Sequence, residues 1–149
     1  MRIAIDVQGY QSDGSRVRGI GRYSLALIKS LIKVSDEHEF ILVANGSLYD
    51  IRSDFNEILT DKKSKVSLCH WYSPIPLIDC IEENSVRISI AKLIRSYTFA
   101  NLNADLILIT SFFEGYGDNC VIDFDSQFDL PPICSVFYDL IPLLNKKLY

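Results

Sequence analysis

Solid apolar runs alternate along this chain with segments of helical period, and that alternation limits the possible folds more than any other feature. Residues 2–7, RIAIDV, form a β-branched and apolar run with an acidic residue near its end and read as a buried first strand. Residues 8–19 are polar, rich in Gly and Ser, and read as a loop. Helical period starts at Ile20–Gly21 and runs to Val34. It sets Ile20, Tyr23, Leu27, Leu31 and Val34 on one face, and Arg22, Ala26, Lys29 and Lys33 on the wetter one. Further strands are expected over residues 40–44, 66–69, 106–110 and 133–137, with a short helix over residues 54–60. Asn84 or Ser85 is expected to cap a second strong helix over residues 86–102. Its apolar stripe is Val86, Ile90, Leu93, Ile94 and Tyr97, with Arg87 and Arg95 on the wet side. Residues 116–130 are turn-rich and read as an excursion outside the core. Strands alternating with helices imply right-handed crossovers and an α/β fold: an open parallel sheet with helices on both faces.

Composition narrows the function classes. At 149 residues the chain has the usual size of a single domain. Its 48% hydrophobic and 23% charged residues place it among globular proteins rather than disordered ones. The formal net charge is -4 and the longest basic runs are Lys62-Lys63 and Lys146-Lys147, which argues against a nucleic-acid partner. Cys69, Cys80, Cys120 and Cys134 form no C-x-x-C pair, and His38 and His70 add no ligand spacing, so no metal site is expected. Cys134 lies in an apolar run, as a buried free thiol does. Reduced thiols and an N-terminus that enters a strand directly, with no signal peptide, point to the cytoplasm. No apolar run reaches the roughly 18 residues of a membrane span, so any membrane association is expected to be peripheral.

In an open parallel sheet ligands bind beyond the carboxyl ends of the strands, which singles out three loops. The first ends Arg18-Gly19-Ile20-Gly21-Arg22-Tyr23. Two glycines at a helix mouth let backbone amides approach an anion, and the helix terminus favours negative charge. The same glycines equally suit helix–sheet packing. About a dozen loop residues separate the first strand from this G-x-G-x-x-S, which argues against a nicotinamide-dependent dehydrogenase. Arg16, Arg18 and Arg22 can neutralise a diphosphate or hold an anionic acceptor, or stand solvated at the surface. The second loop, Ser111-Phe112-Phe113-Glu114-Gly115-Tyr116-Gly117-Asp118, sets a carboxylate between aromatics and glycines, a combination that suits a sugar. Carboxylates accept from hydroxyls, and aromatic faces stack on the C–H faces of a pyranose. The same residues also fit a turn with two aromatics in the core. In the third loop, Tyr138-Asp139-Leu140-Ile141-Pro142-Leu143-Leu144, Asp139 follows an apolar strand, where it can act as a base, orient a hydroxyl or cap a turn. Asp6, at the end of the first strand, is read as a structural acceptor for loop amides. No Ser/His/Asp or Cys/His arrangement can be assembled.

Taken in order, residues 1–8, residues 18–24 (RGIGRYS), residues 111–115 (SFFEG) and residues 138–143 (YDLIPL) resemble bacterial retaining glycosyltransferases of the GT-B fold. The resemblance is to family four, the branch with polysaccharide mannosyltransferases, and spans residue 1 to about residue 144. It implies two Rossmann-like domains facing a cleft and metal-independent chemistry without a cofactor. The donor is a nucleotide-sugar, with GDP-mannose a candidate. The acceptor is a growing glycan, lipid-linked at the inner face of the cell membrane, in O-antigen or capsule synthesis. Residues 1–149 would form the N-terminal, acceptor-side domain. The C-terminal donor-binding domain would lie outside them, and the fragment alone would be inactive. By resemblance Gly19, Gly21 and Arg22 lie near the donor diphosphate. Arg18, Phe113, Glu114 and Tyr138 face the acceptor, and Glu114 and Asp139 are the candidate catalytic carboxylates. Many relatives carry His at the position of Tyr138, so no imidazole role transfers. A stand-alone Rossmann-like nucleotide- or phosphate-binding module is the alternative.

Overall fold

The computed structural model describes residues 1–61, 65–78, 80–112, 114–115 and 117–138. Phe113 and Asp139 lie outside the described residues. Five strands, β1 (Arg2–Asp6), β2 (Glu39–Asn45), β3 (Val66–Trp71), β4 (Leu106–Ile109) and β5 (Ile133–Ser135), form one sheet in the order β3-β2-β1-β4-β5. Every pairing is parallel, with Ala4 opposite Ile41 on one side and Ile107 on the other. The chain builds outward from β1 to β3, then returns past β1 to start again at β4. The order therefore reverses between β1 and β4, and a crevice opens at the carboxyl ends of those two strands.

Alternation along the strands sends side chains to two cores. Ile5, Val7, Phe40, Leu42 and Ala44 pack with Ile28 of α2 (Gly19–Val34) and with Phe55, at the start of α3 (Asn56–Thr60). Ala4, Ile41, Val43, Ile107 and Ile109 pack on the other face with Ala91 and Phe99 of α4 (Ser85–Ala100). Helices thus cover both faces, as the alternating pattern implies.

Several local readings are corrected. The first loop opens with a single helical turn, α1 (Gln8–Gln11). In α2 the inward residues are Gly21, Ser24 and Ile28, with Leu25 and Ile32 beside them, while Tyr23 and Val34 are 52% and 79% exposed. The helix carries two apolar stripes. The shorter one turns inward because Gly21 must sit against the backbone of Ser15 and Arg16, where a Cβ would come within 2.5 Å. In α4 Ala91, Arg95, Ser96 and Phe99 point inward, while Val86, Ile90, Leu93 and Tyr97 are exposed. A buried carboxylate, Asp6, draws Arg95 to the inner face. Asn84 precedes α4 without a side-chain cap bond: its Nδ2 donates to the Ile78 carbonyl and its Oδ1 accepts from Arg87.

The segment after the second loop is no excursion. Cys120 and Val121 are buried, Val121 within the core. The Gln8 side chain grips Val121 like a strand neighbour, donating to its carbonyl at 2.8 Å and accepting from its amide at 3.1 Å. Cys134 is exposed rather than buried, because β5 is an edge strand with three exposed residues.

Candidate functional site

Three chain segments meet over the carboxyl ends of β1 and β4: residues 8–20, the described residues of 110–120, and Tyr138. Beneath them lies a fully buried polar foundation. Asp6 follows Ala4 by two residues and so faces α4, where its Oδ2 meets Arg95 Nη2 at 2.5 Å. The same carboxylate accepts from the Gln8 amide at 3.0 Å and from Gln8 Nε2 at 3.2 Å. Arg95 also donates through Nη1 to the carbonyls of Ile122 and Asp123, each at 3.0 Å, and lies 3.7 Å over the Phe124 ring. One guanidinium thus ties the end of β1 to the segment behind the second loop. Asp6 has the structural role the sequence suggested, including the bond to a loop amide.

The first loop folds back under the mouth of α2. The Ser15 carbonyl accepts from the amides of Arg18 at 2.9 Å and Gly21 at 3.0 Å, and Arg18 carbonyl accepts from the Arg22 amide. The two glycines have different fates. Gly21 is pressed onto Ser15 and Arg16, so packing alone requires it. Around Gly19 a Cβ would meet nothing within 4 Å. Among the described residues no intrachain acceptor meets the amides of Gly19 and Ile20, as expected for the open end of a helix.

The arginines also separate. Arg18 is exposed with no ion pair among the described residues. Arg22 is exposed and donates to the Val17 carbonyl at 3.1 Å. The Arg16 backbone packs against Gly21, but its side chain reaches Tyr49, with the guanidinium stacked 4.0 Å from the ring centroid.

Glu114 lies between the first and second loops at 4% exposure. Its Oε1 accepts from Ser15 Oγ at 2.9 Å, and among the described residues no partner meets its buried Oε2. Burial pushes this carboxyl above the ordinary carboxylate range. Hydrogen bonds from Ser111 and Ser15 oppose the rise, and the charge of Asp118 adds to it. Asp118 fixes the loop from below: its Oδ1 accepts from the amides of Gly115 and Cys120, each at 2.9 Å, and its Oδ2 accepts from Ser12 Oγ. Gly115 has φ +103, and a Cβ there would come within 3.0 Å of the Cys120 carbonyl oxygen.

Tyr138 closes the third side. Its hydroxyl donates to the Thr110 carbonyl at 2.8 Å and lies 3.0 Å from Ser24 Oγ, while its ring meets Tyr23 edge-on at 5.3 Å. The hydroxyl therefore joins the residue after β4 to α2. Burial pushes it above the ordinary phenol range.

Of the residues read from sequence, Gly19, Gly21, Arg18, Arg22, Glu114 and Tyr138 gather at this crevice, and Arg16 leans away from it. Ser12, Ser15, Gln8 and Arg95 were not anticipated at this site, and Asp118 was read as the end of the second loop with no role of its own. Asp118 had a local signal, since Gly117-Asp118-Asn119 is turn chemistry and an Asp accepts from amides two residues on. Arg95 had none, because it sits on a helix position that looks wet. A larger cavity of about 600 Å³ lies among Lys29, Lys33, His38, Phe40 and Val66, at the amino ends of β2 and β3. That is the wrong edge of the sheet for a substrate. Among the described residues no His, Cys, Asp or Glu group can hold a metal ion, and no helix is long and apolar enough to cross a membrane.

No family model matches the chain. It is 35% identical over 156 aligned positions, its whole length, to a serotype-specific mannosyltransferase WbdA of Escherichia coli, of which it covers 18%. A second protein of that description and organism is 30% identical and a third 28% identical, each over 81% of this chain and 15% of the relative. The chain spans less than a fifth of the length of these relatives, and within that share it is similar to bacterial mannosyltransferases.

Proposed function

We propose that this chain is the acceptor-side domain of a retaining GT-B glycosyltransferase. The whole enzyme would transfer mannose from a nucleotide-sugar, GDP-mannose, to a growing cell-surface polysaccharide such as O-antigen or capsule. The observation that carries this reading is the 35% identity along the whole chain to a protein described as a serotype-specific mannosyltransferase. The parallel sheet with its crevice at the strand-order reversal supports it, because that is where such a fold offers space to a substrate.

The roles divide along the geometry. The open helix end at Gly19, with Arg18 and Arg22 beside it, faces the donor diphosphate. Gly21 serves that end indirectly by letting the first loop fold under it. Glu114, held by Ser15, and Tyr138 would stand on the acceptor side, and Phe113 is assigned to the acceptor by the resemblance alone. A carboxyl raised by burial is suited to exchanging a proton with a sugar hydroxyl. Asp139 is the second proposed carboxylate. No cofactor or metal takes part. The acceptor is lipid-linked and met at the cytoplasmic face of the membrane, with the donor-binding domain supplying the opposite cleft wall.

The amides of Gly19 and Ile20, which meet no acceptor among the described residues, also favour a second reading, a nucleotide-binding module that works alone. Titration calorimetry of the 149-residue chain separates the two. The acceptor reading expects saturable binding of an α-linked mannotetraose and little response to GDP-mannose. Tight GDP-mannose binding with no response to the oligosaccharide sinks it and leaves the nucleotide module.

A further inference from the structure

Two strands away from the crevice, at the carboxyl ends of β2 and β3, a polar recess of about 160 Å³ opens beside Tyr49, Asp50, Arg52, His70 and Tyr72. It lies on the substrate edge of the sheet and is too small for the ligands that fill pockets of about 300–1,000 Å³. Its walls are built rigidly. Gln11, 2% exposed, spends its amide on the backbone of this corner: Nε2 donates to the carbonyls of Asn45 at 2.9 Å and Tyr49 at 2.7 Å, and Oε1 accepts from the Asn45 amide at 2.9 Å. Tyr72 is 65% exposed yet held in place. Its ring lies on Gly46, where a Cβ would come within 2.3 Å, and it stacks on His70 at an interplanar angle of 25°. Only glycine at position 46 lets that ring lie down.

The polar rim is equally fixed. Arg52 Nε bonds both oxygens of Asp50, at 3.0 and 2.9 Å, and Nη2 bonds Oδ2 at 2.5 Å. The pair is exposed, and the Arg52 bonds hold the Asp50 carboxyl down at about 2, so it stays ionised. The two charges cancel, which disfavours an anionic ligand. Unused guanidinium hydrogens and carboxylate lone pairs remain side by side, matched to vicinal hydroxyls. Tyr49 joins this recess to the crevice, because the Arg16 guanidinium of the glycine loop stacks on its ring.

We propose that this recess is a subsite for one neutral sugar ring of the glycan, distal to the reacting end. The ring's C–H face would lie on Tyr72, and its hydroxyls would bond the Asp50–Arg52 pair. The inference rests on the acceptor reading and extends it: the glycan would run from the crevice past Arg16 and Tyr49 to Tyr72.

The test is an amide NMR titration of the ¹⁵N-labelled chain with methyl α-mannoside and with α-linked mannotetraose. Saturable shifts are expected at Gly46, Arg52 and Tyr72, reached at lower concentration with the tetraose. Tyr72→Ala should weaken tetraose binding about tenfold, the size of a lost aromatic contact. Tyr72→Phe should retain it, and Arg52→Gln, a change at an exposed site, should weaken it with the fold untouched. Shifts confined to residues 12–20 and 111–118, with tetraose affinity unchanged in Tyr72→Ala and Arg52→Gln, overturn the subsite and leave the acceptor reading standing. Shifts at Gly46 and Tyr72 alone keep the subsite and overturn the acceptor role of the crevice. Absence of shifts throughout overturns both.

Discussion

Asp6 and Arg95 bury a full ion pair under the crevice, at 3% and 0% exposure. Such a pair adds little over well-packed apolar residues, but breaking it strands a charge in the interior. Asp6→Asn should therefore cost about 3–5 kcal/mol in urea unfolding. Replacing both residues together should cost less than the sum of the single changes, since the double change leaves no unpaired charge. Glu114 acts through protonation instead. Its folded carboxyl is raised by burial, so the folded state holds the proton more tightly than the unfolded chain does. Its contribution is fully present below the ordinary carboxylate range of about 4 and is lost as pH rises through the higher folded value. Glu114→Gln keeps an acceptor for Ser15 and does not titrate. The variant should gain stability relative to the parent between about pH 4 and pH 7, read from urea curves at both ends. A constant difference across that range would show that the carboxyl titrates alike in both states.

At the scale of the element, the periodicity of the two long helices was legible and their rotation was not. Each helix carries apolar residues on more than one face, so counting matches to a helical period selects the longer stripe. The interior selected by close approach and charge: Gly21 against the loop backbone in α2, and Arg95 against Asp6 in α4. Stability measurements distinguish the stripes. Ile28→Ala, at a fully buried position, should cost about 2–5 kcal/mol. Val34→Ala, at a residue 79% exposed, should change stability by no more than about 0.5 kcal/mol. Comparable losses at the two positions would contradict the observed rotation.

At the scale of the whole molecule, strand order decides which side chains meet. Residues 12, 15, 114 and 118 are far apart in sequence, yet Ser15 bonds Glu114 and Ser12 bonds Asp118 because β1 and β4 are neighbours. Strand order also sorts the thiols. β5 forms a sheet edge with Cys134 exposed, and Cys80 is exposed in the connection before α4. Cys120 is buried, and burial with the nearby Asp118 charge pushes its thiol far above the ordinary range. Thiol labelling of the native chain at about pH 8 should modify Cys80 and Cys134 quickly and spare Cys120 until denaturant is added. Fast labelling of Cys120 would mean that the segment tied down by Gln8 and Arg95 opens readily.

The amino-acid sequence by itself determined the alternation of strands and helices, the parallel sheet covered on both faces, and the strand-end loops where a substrate has room. These follow from period and local turn chemistry, which act over a few residues. The tertiary structure alone decided which helix faces turn inward, that Gly21 is a packing glycine while Gly19 stands open, and that Asp6 is held by Arg95. It also decided that Tyr72 lies fixed on Gly46 beside the Asp50–Arg52 pair. Each of these depends on a contact between segments distant along the chain, or on one that exists only once the strands have ordered themselves in the sheet.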